Sequence, residues 1–198
     1  MARSRAHDFE DKQRAILRSA AAVFAESGMD RASMSQIAAR AEVSKALLYH
    51  YYTSRDALIF DILRTNLGEL EAAILAADSP EAPPRERLRQ LVHTILEQYR
   101  DADDYHKLQL NGTHSLPEAE RAEILAIERR ITRHVAGILR AIRPDIDANR
   151  PLLMPVTMSL FGMVNWVYMW FREGGPITRE GYADLATDLL LGGIESLN

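Results

Sequence analysis

Three aspartates lie close together in the chain, at Asp101, Asp103 and Asp104. Clustered carboxylates supply the oxygen ligands that Mg²⁺ accepts, so this spacing could support a metal-assisted reaction. An all-α lyase or transferase that depends on magnesium is therefore one hypothesis. A lone acidic cluster at a helix junction is more often simply solvated, so this hypothesis stays an alternative.

Histidine and cysteine offer little further chemistry. The histidines of the later part of the chain are His93, His106, His114 and His134, and no two of them have the i, i+4 spacing of a helical zinc site. The chain has no cysteine, which excludes disulfides, thiol catalysis and thiolate metal sites. The sequence contains no recognisable nucleophile–base pair or phosphate loop. It therefore predicts no catalytic residue, no cofactor and no metal site.

Helix starts follow one another closely in the stretch that begins at Ser33. The Ser33 hydroxyl can cap a first helix, and Gln36 three residues later completes a capping box. The chain turns at Glu42, after which Ser44 is the N-cap candidate of a second helix. Thr53 then opens a third. Three helices with such short connections predict a helix-turn-helix.

The second of these helices, predicted from Lys45 to about Tyr51, has two different sides. At 100° per residue it turns Leu48 and Tyr52 into the core. Its other side carries charged and hydrogen-bonding groups, which contacts with phosphates and base edges require. The residues predicted to enter a DNA groove are Lys45, Ala46, Leu47, Tyr49 and His50, and those predicted to face the DNA backbone are Ser33, Ser35, Tyr51 and Arg55. An ordinary surface helix with half-buried aromatic residues is the other interpretation.

Two longer stretches carry a family resemblance. Residues 43–58 read VSKALLYHYYTSRDAL and residues 15–41 read AILRSAAAVFAESGMDRASMSQIAARA; together they resemble the DNA-binding region of TetR-family bacterial transcriptional regulators. Two departures stand out. Glu42 occupies a turn position where the family usually has glycine, so left-handed backbone there would carry a penalty. Leu47 replaces a residue that is often small and polar, which favours methyl contacts in base readout.

The resemblance implies a homodimer that binds a near-palindromic operator, acts more often as a repressor, and is released by a small molecule. Helical periodicity without strand patterns independently predicts an all-α fold. We expect a DNA-binding domain over residues 1–54 and a ligand-binding and dimerisation domain over residues 55–198. Residues 1–64 carry a net charge of +2 and the remainder −6, which suits this division. A basic arm at Arg3 and Arg5 is expected to precede the first helix at Phe9.

Residues 151–171, PLLMPVTMSLFGMVNWVYMWF, form a run without charges. Its length would suffice for a membrane span, but its two prolines, its polar residues and the absence of an export signal favour a buried helix of a cytoplasmic protein with no membrane partner. The resemblance implies that this helix and the last one pair with a second copy. The predicted dimer contacts are Gly162, Trp166, Leu185, Leu189, Gly192 and Gly193.

The resemblance also implies a ligand pocket in the second domain. The segment GMVNWVYMWFREGG is similar to that of family members that sense acyl-CoA thioesters or related hydrophobic acids. The predicted lining is Leu96, Tyr99, Leu108, Ile131, Met158, Phe161, Met163 and Trp166. Methionines are adaptable and suit an apolar pocket, although at these spacings plain core packing is the more common role.

Overall fold

The computed structural model describes the backbone of residues 2–197, and the side chains of these except residues 2–8, 10, 110 and 111. The described chain is helical and contains no strand, which confirms the all-α prediction. The helices are α1 (Ala2–Ser27), α2 (Met34–Arg40), α3 (Lys45–Tyr51), α4 (Arg55–Ala77), α5 (Pro84–Gln98), α6 (Asp103–Gly112), α7 (Glu118–Ile142), α8 (Leu153–Asn165), α9 (Val167–Trp170) and α10 (Arg179–Ser196), with a 3-10 turn at Thr113–Ser115.

The chain forms two compact units. The first unit ends at Leu67 and takes in Asp103–Leu125, whereas the second unit comprises Gly68–Ala102 and the chain from Ala126 onwards. The structure thus groups the start of α4 and all of α6 with the first three helices. The division into a DNA-binding domain over residues 1–54 and a ligand-binding and dimerisation domain over residues 55–198 stays a prediction.

The first unit is built on α1, which packs against α2 and α6. Gly28 ends α1 in the left-handed conformation, at φ 78°, as its position in the sequence predicts. The helix begins at Ala2 rather than Phe9. Arg3 and Arg5, the predicted basic arm, lie outside the described side chains. The largest fully buried side chains of this unit are Ile16, Ile37, Leu48, Leu58, Ile62, Leu63 and Ile124.

The second unit is held mainly by α5, which packs against α10 and α8. Pro84 occupies the first turn of α5, where its missing N–H leaves no intrahelical bond unmade. Residues 151–171 form α8 and α9, with an interruption at Trp166. Among the described residues no helix is long and apolar enough to cross a membrane. The buried hydroxyls of Thr157 and Thr187 donate to carbonyls one turn back in their own helices.

Candidate nucleic-acid interface

Side-chain caps fix the starts of α2 and α3. The backbone N–H of Gln36 donates to Ser33 Oγ at 3.3 Å, and the N–H of Ser33 donates back to Gln36 Oε1 at 2.9 Å. Ser44 Oγ accepts from the N–H of Leu47 at 3.1 Å. The caps predicted at Ser33 and Ser44 are confirmed. The third helix is capped by Ser54 and not by Thr53, because Ser54 Oγ accepts from the N–H of Ala57 at 3.1 Å. They set where each helix begins, and thereby which residues of α3 face outwards.

The turn between α2 and α3 centres on Glu42, which has φ 54°. The N–H groups of Glu42 and Val43 donate to the carbonyls of Ala39 and Ala38, so the last turn of α2 is closed by backbone hydrogen bonds. A side chain with a Cβ is disfavoured in this left-handed conformation. The penalty predicted for Glu42 is therefore present in the structure.

The two sides of α3 are as the sequence predicts. Leu48 is fully buried and Tyr52, at the C-cap, is nearly so. Lys45, Ala46 and His50 are exposed, Tyr49 is 49 % exposed, and Leu47 is half-buried. Ser33 and Ser35 on α2 are exposed as well. These side chains give the first unit exposed cationic, hydroxyl and methyl groups on α3 and at the start of α2.

Tyr51 lies between the two sides of α3 and is half-buried. Its ring stacks on that of Phe9 in α1, with centroids 4.7 Å apart and an angle of 23° between the planes. The stack restricts the Tyr51 ring, which therefore lies at the edge between the buried and the exposed side of α3. A contact between the Tyr51 hydroxyl and the DNA backbone remains a prediction.

Arg55 has a different role from the phosphate contact that its sequence position suggests. One terminal nitrogen, Nη1, donates to the carbonyls of Met29, Asp30 and Ala32 at 2.9, 3.3 and 3.2 Å. The side chain therefore ties the start of α4 to the loop between α1 and α2. Only its other nitrogens are left for DNA, and a phosphate contact by them stays a prediction.

A buried carboxylate in the same unit was missed in the sequence. Asp61 in α4 accepts hydrogen bonds from Tyr52, Gln13 and Arg64. The only available signal was an acidic residue at an otherwise apolar position of a helix. That signal does not name the partners, which lie up to 48 residues away.

The second unit exposes an apolar face along α8 and α10. Met154 and Met158 on α8 and Trp166 at its C-cap are spaced by four and eight residues. Leu185 and Leu189 on α10 are spaced by four, and all five are exposed. Gly162, Gly192 and Gly193 are exposed too, and a Cβ added to any of them would meet nothing within 4 Å beyond the neighbouring backbone of its own helix. The six residues predicted as dimer contacts thus lie on exposed positions of α8, its C-cap and α10.

Part of the predicted pocket lining is placed elsewhere. Met158 and Trp166 are 53 % and 54 % exposed on the apolar face of the single chain. Leu108 belongs to the first unit. As lining of a ligand pocket, Met158, Trp166 and Leu108 stay predictions, because a helix that is apolar on all sides does not reveal in its sequence which side is covered.

The other predicted lining residues lie inside the second unit. Leu96, Ile131 and Phe161 are buried, and Met163 is half-buried. The Tyr99 hydroxyl donates to Asn165 Oδ1 at 2.8 Å, and burial raises the pKa of this hydroxyl. Leu96 also lines an open cleft of about 190 Å³ between α5 and α10. That volume is below the roughly 300–1,000 Å³ of small-molecule sites.

The acidic cluster does not assemble a metal site. Asp101 is exposed with φ 57°, and the Asp104 carboxylate lies 3.7 Å from Lys107 Nζ. In the described part of the chain no three metal-binding side chains come together. His93 and His134 lie against Asp184 and Asp78, at 2.9 and 3.1 Å. No observation on the described residues favours the lyase or transferase hypothesis.

Comparison with known proteins matches both parts of the chain to transcriptional regulators. The family model for bacterial regulatory proteins of the tetR family matches residues 16–62, and the tetracyclin repressor-like C-terminal domain matches residues 81–194. The HTH-type transcriptional regulator BetI of Rhizobium meliloti is 30 % identical over 180 residues, which cover 89 % of this chain and 86 % of BetI.

Solved structures are similar over most of their length. A TetR-family transcriptional regulator from Bordetella parapertussis is 35 % identical, with a TM-score of 0.82 over 94 % of this chain and 97 % of that one. AibR in complex with isovaleryl coenzyme A and operator DNA is 27 % identical, with a TM-score of 0.75 over 91 % and 98 %. The first unit presents the exposed side of α3, the reading helix, and both family models match. The chain therefore belongs to the TetR family of DNA-binding transcriptional regulators.

Proposed function

We propose that the protein is a homodimeric repressor that binds a near-palindromic operator in the cytoplasm and is released by a small hydrophobic or acyl-CoA-like effector. The observation that supports DNA binding is the difference between the buried and the exposed side of α3. Leu48 fixes the helix to the core, and Lys45, Tyr49 and His50 remain exposed on it.

The chemistry of α3 fits the major groove. Lys45 stands in the first turn of the helix, where backbone N–H groups and a cation together favour a phosphate. Tyr49 and His50 offer hydrogen bonds to base edges, whereas Ala46 and Leu47 offer methyl contacts to thymine. Ser33 and Ser35 supply hydroxyls for the flanking backbone. Phosphate contacts set the register and the base contacts supply the specificity.

The exposed apolar face of α8 and α10 supports the homodimer. Contiguous exposed apolar patches are uncommon on proteins that work as monomers. The exposed glycines allow a second copy of the same face to approach closely. A two-fold dimer places its two reading helices one helical turn of DNA apart, about 34–36 Å, or a multiple of it. The operator should therefore be a near-palindrome.

The effector part of the proposal rests on family relatives and on the apolar interior of the second unit. AibR, at 27 % identity, was crystallised with isovaleryl coenzyme A and operator DNA. Buried Leu96, Ile131 and Phe161, with Tyr99 as a polar group, would suit an acyl chain. An effector releases DNA only by binding the released state more tightly, typically by about 1–3 kcal/mol of coupling.

The test begins with genomic fragments retained by the purified protein. Sequencing them should return a near-palindromic site, and the affinity for a duplex carrying that site should fall steeply with added salt. Isovaleryl coenzyme A and free coenzyme A are then added separately to the complex. Release by the thioester alone would support the acyl-CoA effector, and equal behaviour of the two would refute it. A monomer that retains no fragment would refute the whole proposal.

A further inference from the structure

Asp61 is a buried carboxylate at the centre of three helices of the first unit. It is 6 % exposed, and both of its oxygens accept hydrogen bonds. Oδ2 accepts from the Tyr52 hydroxyl at 2.6 Å and from Gln13 Nε2 at 2.9 Å, and Oδ1 accepts from Arg64 at 2.7 Å. Gln13 Nε2 also lies 3.1 Å from the Tyr52 hydroxyl oxygen, which closes a triangle of polar atoms.

The partners of Asp61 come from different elements. Gln13 belongs to α1, Arg64 shares α4 with Asp61, and Tyr52 is the C-cap residue of α3. The carboxylate therefore attaches the end of the reading helix to both of the helices behind it. Helix α3 has only seven residues, so its orientation depends on how its two ends are held. Ser44 holds the first end by a cap, and Tyr52 holds the last.

The attachment is directional in a way that apolar packing is not. Burial raises the pKa of Asp61, but the hydrogen bonds from Tyr52, Arg64 and Gln13 outweigh burial and hold the pKa below its ordinary value. The carboxylate is thus charged at neutral pH, and its hydrogen bonds are charge-assisted. Such bonds are short and restrict angles, whereas apolar contacts leave a side chain free to shift.

We propose that Asp61 is a positioning residue for operator recognition: by holding the Tyr52 hydroxyl, it sets the orientation at which α3 presents its outward side chains to DNA. The inference rests on the proposed function. A purely structural role would lower stability and affect all DNA binding alike. A positioning role has a separate signature, because base contacts need correct orientation and phosphate contacts tolerate small rotations of the helix.

The test uses the full-length chain and the duplex recovered from genomic fragments, with a scrambled duplex of equal length for non-specific binding. Tyr52→Phe removes only the hydroxyl and keeps the ring in the core. We expect operator affinity to fall by about tenfold, the size of effect that one impaired base contact produces, with scrambled-duplex affinity and the salt slope unchanged. Gln13→Leu removes a different donor to Asp61 Oδ2. It should lower the ratio of operator affinity to scrambled-duplex affinity, as Tyr52→Phe does.

Tyr182→Phe is the matched control. Its hydroxyl donates to the carbonyl of Met163 within the second unit, so its removal also deletes one tyrosine hydrogen bond. It should leave the ratio of specific to non-specific affinity unchanged. Measurements are made well below the melting temperature of each variant, so that a loss of stability does not count as a loss of orientation.

Two outcomes would overturn the proposal. If Tyr52→Phe and Gln13→Leu both kept the wild-type ratio of operator affinity to scrambled-duplex affinity, the hydrogen bonds among Asp61, Tyr52 and Gln13 would not orient α3. An equal fall in specific and non-specific affinity would mean that Asp61 only stabilises the unit. Failure of the proposed function is distinguishable, because the unmodified chain would then retain no genomic fragment in the first place.

Discussion

Arg87 and Asp78 form a two-point ion pair, with Nε to Oδ1 and Nη2 to Oδ2 both at 2.7 Å. Asp78 follows the last residue of α4, and Arg87 stands in the first turns of α5. Both side chains are largely buried, at 7 % and 18 % exposure. The pair therefore closes the proline-containing connection between the two helices, which the sequence shows only as a break.

Arg87→Ala should destabilise the second unit. The substitution removes both hydrogen bonds from Arg87 and leaves the buried Asp78 carboxylate with His134 as its neighbour, a loss of about 2 kcal/mol by the usual worth of hydrogen bonds to a charged group. Thermal and urea unfolding measure it. Arg130→Ala is the control, because the Arg130–Glu71 pair has similar geometry with an exposed arginine and should matter far less. Equal effects of the two substitutions would contradict the burial argument.

Stability should fall as the solution is acidified, in part through Asp78. The hydrogen bonds from Arg87 hold the pKa of Asp78 below its ordinary value of 3.8, against the opposing effect of burial. The unfolded chain then binds more protons than the folded one at acidic pH, so the stability that Asp78 contributes is present above about pH 4 and is lost below it. Asp78→Asn should flatten the pH dependence of the urea midpoint. An unchanged slope would place the effect on other carboxylates.

Lys45→Ala should reduce the dependence of operator binding on salt. One phosphate contact fewer lowers the slope of log affinity against log salt by about one. Fluorescence anisotropy at several salt concentrations measures the slope. Arg140→Ala removes a positive charge from the second unit and should leave the slope as it was. An unaltered slope in Lys45→Ala would remove Lys45 from the interface.

Glu42→Gly should stabilise the first unit. Glycine adopts φ 54° without the steric penalty of a Cβ, and after its larger loss of backbone entropy a gain of about 0.5–1 kcal/mol remains. Glu42→Ala keeps the Cβ and should give no gain. Chemical denaturation compares the three chains. If alanine stabilises as much as glycine, the benefit comes from removing the charge and not from the backbone.

Trp166→Asp should separate the homodimer. It places a charge on the exposed apolar face, where a second copy would have to bury it. Sedimentation or light scattering reports the mass, and circular dichroism checks that the chain remains helical. Leu75→Asp, at an exposed position of α4, is the control and should leave the mass unchanged. A stable dimer of Trp166→Asp would mean that α8 and α10 do not form the interface.

Local features were predictable from the sequence. The caps at Ser33 and Ser44, the end of α1 at Gly28 and the burial of Leu48 depend on residues within about one helical turn, so spacing alone predicts them. Glu42 was recognisable through the family resemblance, because TetR-family members usually have glycine at this turn position and glycine tolerates a left-handed backbone.

Features that depend on distant partners were not predictable. Arg55 finds its carbonyl acceptors 23 to 26 residues earlier, and Asp61 joins residues from three helices. Neither arrangement produces a periodic pattern in the sequence. Met158 and Trp166 show a different limit: their apolar character predicts burial, whereas the packing of α8 leaves both side chains exposed in the single chain.

The exposed glycines of α8 and α10 separate two free energies that usually change together. An alanine at Gly162 or Gly192 meets nothing beyond the neighbouring backbone of its own helix, and in the isolated subunit it favours the helix by roughly 0.5–1 kcal/mol. In an assembled pair the same methyl group would hold the two backbones apart. One substitution would then strengthen the fold of each subunit while weakening their association, so that the more heat-resistant chain would be the poorer regulator.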